Sequence, residues 1–272
     1  MIAPAFAPDL TSYDVILIST SGGKDSALTA WYVTELARGL GILDRVHAVH
    51  ATFPEEWAGT TDLVRRQTQA LGIPLDITKR GEGILDYATR RRMWPDSSSR
   101  WCTSEFKRGP ISLIVTQLVA EARLRRTRNR HQPVRVLNVM GMRADESRSR
   151  AQLAPFRVNQ RWTGKGQARI VHDWLPLHGL TTREVWQAIE HLGLEMHPAY
   201  QAGMPRLSCC FCIFAGPDAL LRAGQLNPEL LDRYVQVERA IGHTFKKGLP
   251  LASIQSRLAA GERAPRVVDW AM

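Results

Sequence analysis

The feature that most constrains this chain is the hexapeptide Ser21-Gly-Gly-Lys-Asp-Ser26, which lies between a strand pattern and a long helix pattern. The run from Asp14 to Ser19 is almost wholly apolar before the serine, which is typical of a buried strand. From Ser26 to Arg38 the apolar residues recur at helical spacing. Glycines at such a turn let the backbone approach a phosphate, and the following helix N-terminus attracts the negative charge. The hexapeptide therefore predicts a phosphate-binding loop.

The side chains of this loop suit an anion that is accompanied by a metal ion. Lys24 adds a positive charge, and Ser21 and Ser26 add hydroxyl donors. Asp25 does not suit an anion alone, and it fits better as a group that holds Mg²⁺ or orients the loop. The spacing is neither that of a Walker A loop nor that of a dinucleotide-binding fingerprint.

Strand and helix patterns alternate through the first 150 residues. Further strands are predicted at 45–50, 74–78 and 134–140, and further helices at about 61–71 and 107–126. This alternation predicts an α/β fold, with a doubly wound, mostly parallel sheet.

The pattern of polar and apolar residues changes near residue 150. The segment 157–171 is polar and predicts a loop or short hairpin, helices are predicted at 181–192 and from Asn227, and a cysteine cluster lies between them. We therefore divide the chain into a nucleotide-binding core over 1–150 and a helical and loop appendage over 151–272, packed on the core as one domain.

Charge and apolar patterning restrict the partners and the compartment. Lys and Arg number 36 against 26 Asp and Glu, which gives a formal charge of +10. This charge favours a polyanionic partner such as nucleic acid, or it simply reflects an arginine-rich proteome. No apolar run reaches the ~20 residues of a membrane span, and the N-terminus lacks the basic region of a signal peptide. The sequence predicts a cytoplasmic protein without a membrane segment.

The four cysteines suggest metal or redox chemistry. Cys209 and Cys212 have the C-x-x-C spacing, Cys210 lies between them, and Cys102 is distant in sequence. Thiolates in these groupings suit a [4Fe–4S] cluster or zinc, and packing as small apolar side chains is a third interpretation.

With its neighbouring motifs, the loop resembles the PP-loop of the ATP pyrophosphatase superfamily, whose members cleave ATP between the α and β phosphates. Three later segments resemble the phosphoadenosine phosphosulfate (PAPS) reductase family: Arg100-Trp-Cys-Thr-Ser-Glu-Phe-Lys107, Gly141-Met-Arg-Ala-Asp-Glu-Ser147 and Arg206-Leu-Ser-Cys-Cys-Phe-Cys212. The resemblance spans about residues 14 to 215 and implies an adenine nucleotide alpha hydrolase-like fold.

The resemblance also implies a set of site residues. Lys107 and Arg143 would each meet a phosphate or sulfate group, so the implied catalytic residues are Lys24, Asp25, Lys107 and Arg143. ATP and its phosphates would be bound by Ser19, Ser21, Gly22, Gly23, Lys24, Asp25, Ser26 and Arg143. A [4Fe–4S] cluster, favoured over zinc, would be held by Cys102, Cys209 and Cys212, with Cys210 as the fourth ligand or as a persulfide carrier.

The reductases of this family use a catalytic cysteine in a C-terminal Glu-Cys-Gly-type segment, and no cysteine follows Cys212 here. The resemblance therefore favours ATP-dependent sulfur transfer of the kind found in Dnd- and Ssp-type DNA phosphorothioation. In that chemistry ATP and Mg²⁺ activate an acceptor oxygen, and sulfur from a cysteine desulfurase replaces it. Nucleotide-sulfate reduction, tRNA thiolation and a nucleotide-binding scaffold remain alternatives, and a homo-oligomer is compatible with each.

If DNA is the acceptor, two arginine-rich segments are candidate contacts with its backbone. Such contacts would not distinguish one base sequence from another. A solvated helix end is the competing interpretation of both segments. The residues are Arg90, Arg91, Arg92, Arg123, Arg125, Arg126, Arg128 and Arg130.

Overall fold

A computed structural model describes residues 6–126, 131–164 and 168–265. The strands are β1 (Val15–Ser19), β2 (Val46–Thr52), β3 (Leu75–Lys79), β4 (Val134–Met140), β5 (Phe156–Val158) and β6 (Arg169–Trp174). The helices of the first half are α1 (Lys24–Gly39), α2 (Thr60–Leu71), α3 (Ile84–Arg91), α4 (Trp101–Thr103) and α5 (Gly109–Arg125), with a π-helical segment at Ser104–Arg108. Those of the second half are α6 (Arg148–Ala151), α7 (Thr182–Leu192), α8 (Pro198–Gln201), α9 (Pro217–Leu226), α10 (Pro228–Ile241) and α11 (Leu251–Ala259). Within these ranges, none of the helices combines the length and the apolar character that a membrane span requires.

The six strands form one sheet in the order β3-β2-β1-β4-β6-β5. All neighbouring strands are parallel except the last pair, in which β5 runs antiparallel to β6. The chain moves outward from β1 through β2 to β3 and then returns to the other side of β1. The strand order therefore reverses between β1 and β4, and open α/β sheets bind ligands at the carboxyl ends of strands at such a point.

The core occupies both faces of the sheet because the side chains of β1 alternate. Ile16 and Ile18 pack with Val33 of α1 on one face. Leu17 packs with Val115 of α5 on the other face. A strand that is covered on both faces needs apolar residues at successive positions, which is the pattern of β1 in the sequence.

A third group of buried side chains joins the cysteine segment to the C-terminal helices. The stacked rings of Trp94 and Tyr234 lie 5.4 Å apart between centroids, and Phe211 lies 4.9 Å from Tyr234. This cluster holds the cysteine segment against the body of the protein and so fixes the position of its thiols.

The doubly wound, mostly parallel sheet predicted from the alternation of patterns is confirmed. The segment predicted as a loop or short hairpin forms a hairpin whose strands, β5 and β6, complete the sheet. The helix predicted from Lys107 begins at Gly109, after the π-helical segment. The division at residue 150 stays a prediction, and two strands of the sheet lie beyond it.

Candidate functional site

The predicted phosphate loop joins the carboxyl end of β1 to the N-terminus of α1. Gly22 has φ +70°, a left-handed conformation that favours glycine. A Cβ atom at Gly22 would lie 3.3 Å from Thr60 Cγ2 of α2, so the loop is tightly enclosed. The Ser26 hydroxyl donates to the Gly23 carbonyl at 2.9 Å and accepts from the Ser21 amide at 3.1 Å. These bonds fix the turn.

The loop presents backbone donors at a helix N-terminus. Gly23 is the N-cap residue of α1, with extended backbone angles and no capping side chain. Within the ranges that the structure describes, the backbone N–H groups of Gly22 and Gly23 make no hydrogen bond. Unpaired N–H groups beside the positive end of a helix form an anion site, so this geometry fits the phosphates of a nucleotide. Ser19 is half-buried at the end of β1, with its hydroxyl 3.5 Å from Asn138 Oδ1.

Lys24 and Asp25 form an ion pair at the start of α1. Lys24 Nζ lies 3.1 Å from Asp25 Oδ2, and the Lys24 side chain is 4% exposed. Burial lowers the pKa of Lys24, and the nearby Asp25 carboxylate opposes this effect. The other oxygen of Asp25 accepts from Arg143 Nε at 2.6 Å. Two cations therefore share this carboxylate, which leaves its predicted role as a Mg²⁺ ligand a proposal.

Arg143 follows β4 and lies buried against α1, with 1% of its side chain exposed. Besides Asp25, its guanidinium donates to Asp145 Oδ2 at 3.1 Å, to the Leu180 carbonyl at 3.0 Å and to the Thr182 hydroxyl at 3.0 Å. The sequence predicts a phosphate contact for this residue. In the structure the guanidinium holds Asp25 and ties α1 to the start of α7, and its phosphate contact stays a prediction.

Gly141 allows this arrangement because β4 passes very close to α1. A Cβ atom at Gly141 would lie 2.6 Å from the Asp25 carbonyl oxygen and 2.9 Å from Thr29 Oγ1. No side chain fits there without moving the helix.

Three of the four thiols gather near Lys107. Burial raises the pKa of Cys102, and the charges of Lys107 and Cys212 also act on it. Burial likewise raises the pKa of Cys209 to about 12, which Lys107 lowers and the charges of Cys212 and Cys102 raise. Mutual electrostatic effects of this kind require proximity. Cys102, Cys209 and Cys212, which we call the thiol cluster, thus lie near one another, and Lys107 lies near Cys102 and Cys209.

Cys210 lies apart from the thiol cluster. Only 2% of the residue is exposed, and its amide donates to the Glu55 carbonyl at 3.2 Å. Burial raises the pKa of Cys210 to about 12, and the charges of Cys209, Glu56 and Glu55 raise it further. Cys210 therefore belongs to the buried hydrophobic cluster, whereas Cys209 is half-buried at its edge.

The phosphate loop and the thiol cluster are joined by one short segment. Leu207 packs on the loop, with its Cβ atom 3.6 Å from the position of a Cβ at Gly23. Two residues later, Cys209 pairs with Glu56 in an isolated antiparallel bridge that follows β2. Two residues of extended chain span about 7 Å, so the thiol cluster begins within that distance of the loop contact.

Tyr200 is a site residue that the sequence analysis does not identify. Its hydroxyl accepts from the backbone N–H of Lys24 at 3.0 Å, and burial raises its pKa well above the usual range. Backbone hydrogen bonding from both Lys24 and Leu207 opposes that rise, so this one hydroxyl contacts the loop and the cysteine segment. Tyr200 lies outside the recognisable motifs, and only the tertiary structure brings it to α1.

The thiols are of the chemical type that binds an iron–sulfur cluster, but they are not arranged around a common point. Three of the thiols are half-buried, and thiolate sulfur is the ligand that an iron–sulfur cluster takes. Across the described part of the chain, no three Cys, His, Asp or Glu side chains are already arranged to hold a metal ion. A cluster bound by these thiolates therefore stays a proposal.

Several of the predicted nucleic-acid contacts are engaged within the protein. Arg90 donates to Glu82 at 2.8 Å, Arg123 to the Ala168 carbonyl at 2.7 Å and Arg126 to Asp14. The side chains of Arg91, Arg92 and Arg125 are exposed. Arg128 and Arg130 lie outside the described residues.

Comparison with known proteins gives a family match over most of the chain. Residues 15–215 match the sequence model of the phosphoadenosine phosphosulfate reductase domain. An uncharacterized protein of Methanocaldococcus jannaschii is 24% identical over 225 residues, which cover 83% of this chain and 48% of that protein. The chain thus spans about half the length of the curated relative that it matches.

Solved structures give more distant similarities. A PAPS reductase from Candida auris, in a phosphate complex, aligns with a TM-score of 0.46 and 15% identity, over 72% of this chain and 81% of its own. The U34-tRNA thiolase NcsA from Methanococcus maripaludis, with its [4Fe–4S] cluster, aligns with a TM-score of 0.39 and 13% identity. That alignment covers 97% of this chain and 80% of the thiolase.

Proposed function

Because the chain belongs to the phosphoadenosine phosphosulfate reductase domain family, we propose that it is an ATP pyrophosphatase that transfers sulfur to an acceptor oxygen. The acceptor that we propose is the phosphate backbone of DNA, as in phosphorothioation. The observation that carries this proposal is the short connection from the loop to the thiol cluster. Leu207 contacts the loop glycines, and Cys209 follows two residues later. A nucleotide held by the loop would therefore face thiols, as a sulfur transfer requires.

In the proposed first step the acceptor oxygen attacks the α-phosphorus of ATP, and pyrophosphate leaves. The amides of Gly22 and Gly23 and the ammonium group of Lys24 stabilise the charge that develops on the leaving group. Arg143 holds Asp25, which in turn holds the Lys24 ammonium group. Asp25 is the residue that would hold Mg²⁺, which would supply further positive charge for the leaving pyrophosphate.

In the proposed second step sulfur displaces AMP from the activated acceptor. The terminal sulfur of a persulfide, supplied by a cysteine desulfurase, attacks the phosphorus, and AMP leaves with the oxygen. A thiol reductant then attacks the carrier's own sulfur, which frees the phosphorothioate and leaves a disulfide. Cys102, Cys209 and Cys212 would hold a [4Fe–4S] cluster, which would supply iron that binds sulfur.

The function is tested by following both products with each acceptor. The purified chain is incubated with ATP, Mg²⁺ and a persulfide donor carrying radioactive sulfur, and DNA, tRNA or PAPS is added. We expect pyrophosphate release that DNA stimulates and radioactive sulfur in the DNA. Sulfur in the tRNA instead would assign tRNA thiolation, and sulfite released from PAPS with thioredoxin would assign a reductase. Either result would overturn the DNA proposal.

The ligand set is tested by anaerobic purification of cysteine variants. We expect iron, sulfide and a brown absorption band in the unmodified protein, all lost in Cys102→Ala because a cluster needs its three thiolates. Cys210→Ala, the matched control from the same segment, is expected to retain them because its thiol is buried in the hydrophobic core. Stoichiometric zinc in the unmodified protein, or loss of iron in Cys210→Ala, would contradict this assignment.

A further inference from the structure

A group of exposed arginines lies beside the thiol cluster and is absent from the segments predicted to bind nucleic acid. Arg100 precedes α4, Arg108 ends the π-helical segment, and Arg161 lies between β5 and β6. Partial burial lowers the pKa of Arg108, and the positive charges of Arg161 and Arg100 lower it further. The strongest charges around Arg108 are thus of its own sign. Such a concentration of positive charge is stabilised when it binds an anion.

An exposed aromatic ring borders these arginines. Phe214 follows Cys212 by two residues, and 52% of its surface is exposed. The Arg100 guanidinium lies 5.0 Å from the centre of the Phe214 ring. Most of the other phenylalanines lie in the core, for example Phe53, Phe106 and Phe211. A half-exposed ring that contacts a cation, two residues after Cys212, is suited to stacking against another flat group.

Lys107 connects this surface to the thiols. It precedes Arg108 in the chain, its Nζ lies 5.6 Å from the centre of the Phe53 ring, and its charge acts on Cys102 and Cys209. An anion that contacts Arg108 is therefore one residue from the group that faces the thiol cluster.

We propose that Arg100, Arg108, Arg161 and Phe214 form a binding surface for an unpaired segment of nucleic acid. The arginines contact successive backbone phosphates, and a base stacks on Phe214. Arginines from separate elements suit a strand with repeated charges, and an aromatic ring stacks on any base whose face is free. In a duplex those faces are covered, so the strand must be single or locally opened. This inference rests on the proposed function, in which the acceptor is a nucleic-acid backbone brought to the thiol cluster.

The test is a binding titration without ATP, in which the fluorescence anisotropy of a labelled strand measures binding. The probes are single-stranded oligothymidine, an abasic strand of equal length and a duplex, and the proteins include Phe214→Ala and Arg108→Ala. We expect Phe214→Ala to weaken oligothymidine binding on the order of tenfold and to leave abasic-strand binding unchanged. Arg108→Ala weakens both and reduces the dependence of binding on salt, since a phosphate contact is lost.

Two control variants lie near the ends of α5 and α1. Leu124 of α5 is an apolar side chain with 82% of its surface exposed, and Arg38 of α1 is an exposed arginine outside the segments predicted to bind nucleic acid. At 1.5 Å per residue, each lies roughly 22 Å along its helix from the start of that helix. Leu124→Ala and Arg38→Ala are expected to bind oligothymidine like the unmodified protein. Equal losses in Arg38→Ala and Arg108→Ala would mean diffuse attraction by net charge and would overturn the proposal.

The outcomes separate this inference from the proposed function. If the variants bind all strands normally and the unmodified protein still transfers sulfur to DNA, the surface is wrongly assigned and the function stands. If Arg108→Ala binds all strands normally but no longer binds the persulfide donor protein, the surface docks an acidic partner and the inference fails. If the strand binds as expected but no acceptor receives sulfur, the surface stands and the function fails.

Discussion

Lys24→Ala is expected to lower ATP-dependent pyrophosphate release by about 100-fold to 1,000-fold, the usual loss when a preorganised group that stabilises developing charge is removed. The side chain is almost wholly buried at the N-terminus of α1, where its ammonium group is held by Asp25. Alanine removes the charge, whereas Arg143 still neutralises the Asp25 carboxylate that remains. The loss therefore falls on catalysis more than on folding, and pyrophosphate release under single-turnover conditions measures it.

Lys247→Ala is the matched control for this variant. Lys247 is exposed between α10 and α11, far in sequence from the loop, and its loss also lowers the net charge by one. We expect its pyrophosphate release to equal that of the unmodified protein. If Lys24→Ala retained full activity, the loop would not be the site at which pyrophosphate leaves.

Arg143→Ala is expected to lower the free energy of unfolding by about 3–5 kcal/mol, the usual cost of breaking a buried ion pair by removing one partner. The guanidinium donates to Asp25, Asp145, Thr182 and the Leu180 carbonyl, so its removal leaves Asp25 Oδ1 and the Leu180 carbonyl without this donor. Denaturant unfolding followed by circular dichroism measures the change. We also expect loss of pyrophosphate release, because Asp25 is no longer held.

Two further variants distinguish the stability that the hydrogen bonds of Arg143 contribute from the stability that its positive charge contributes. Arg143→Lys keeps the charge but lacks the planar group that reaches several partners, so we expect only partial recovery of stability. Arg148→Ala removes an exposed arginine of the same turn and is expected to unfold like the unmodified protein. Full stability in Arg143→Ala would show that these hydrogen bonds contribute little to the fold.

The turn that the sequence predicts as a phosphate loop could be predicted because its physical causes are local. A buried strand, two glycines and a helix start follow one another in the sequence, and these neighbours alone determine a turn with N–H groups at a helix end. The sheet was predictable for a related reason. Apolar runs that alternate with amphipathic helices leave few ways to cover both faces of the strands.

The roles of individual side chains depended on contacts that are distant in sequence. Arg143 follows its strand as predicted, yet whether it faces a ligand or the core is decided by Asp25 and Thr182, which lie 118 and 39 residues away. The same is true of Tyr200, whose partner Lys24 is 176 residues distant. No local pattern encodes such pairs.

The sequence by itself therefore determined the fold class, the loop and the types of group available to the site. Tertiary structure decided which of those groups meet: it gathered three thiols near Lys107, turned Cys210 into the core and brought Phe214 beside Arg100. The physical reason is that backbone conformation follows from neighbouring residues. The direction in which a side chain points into a site follows from the packing of the whole chain.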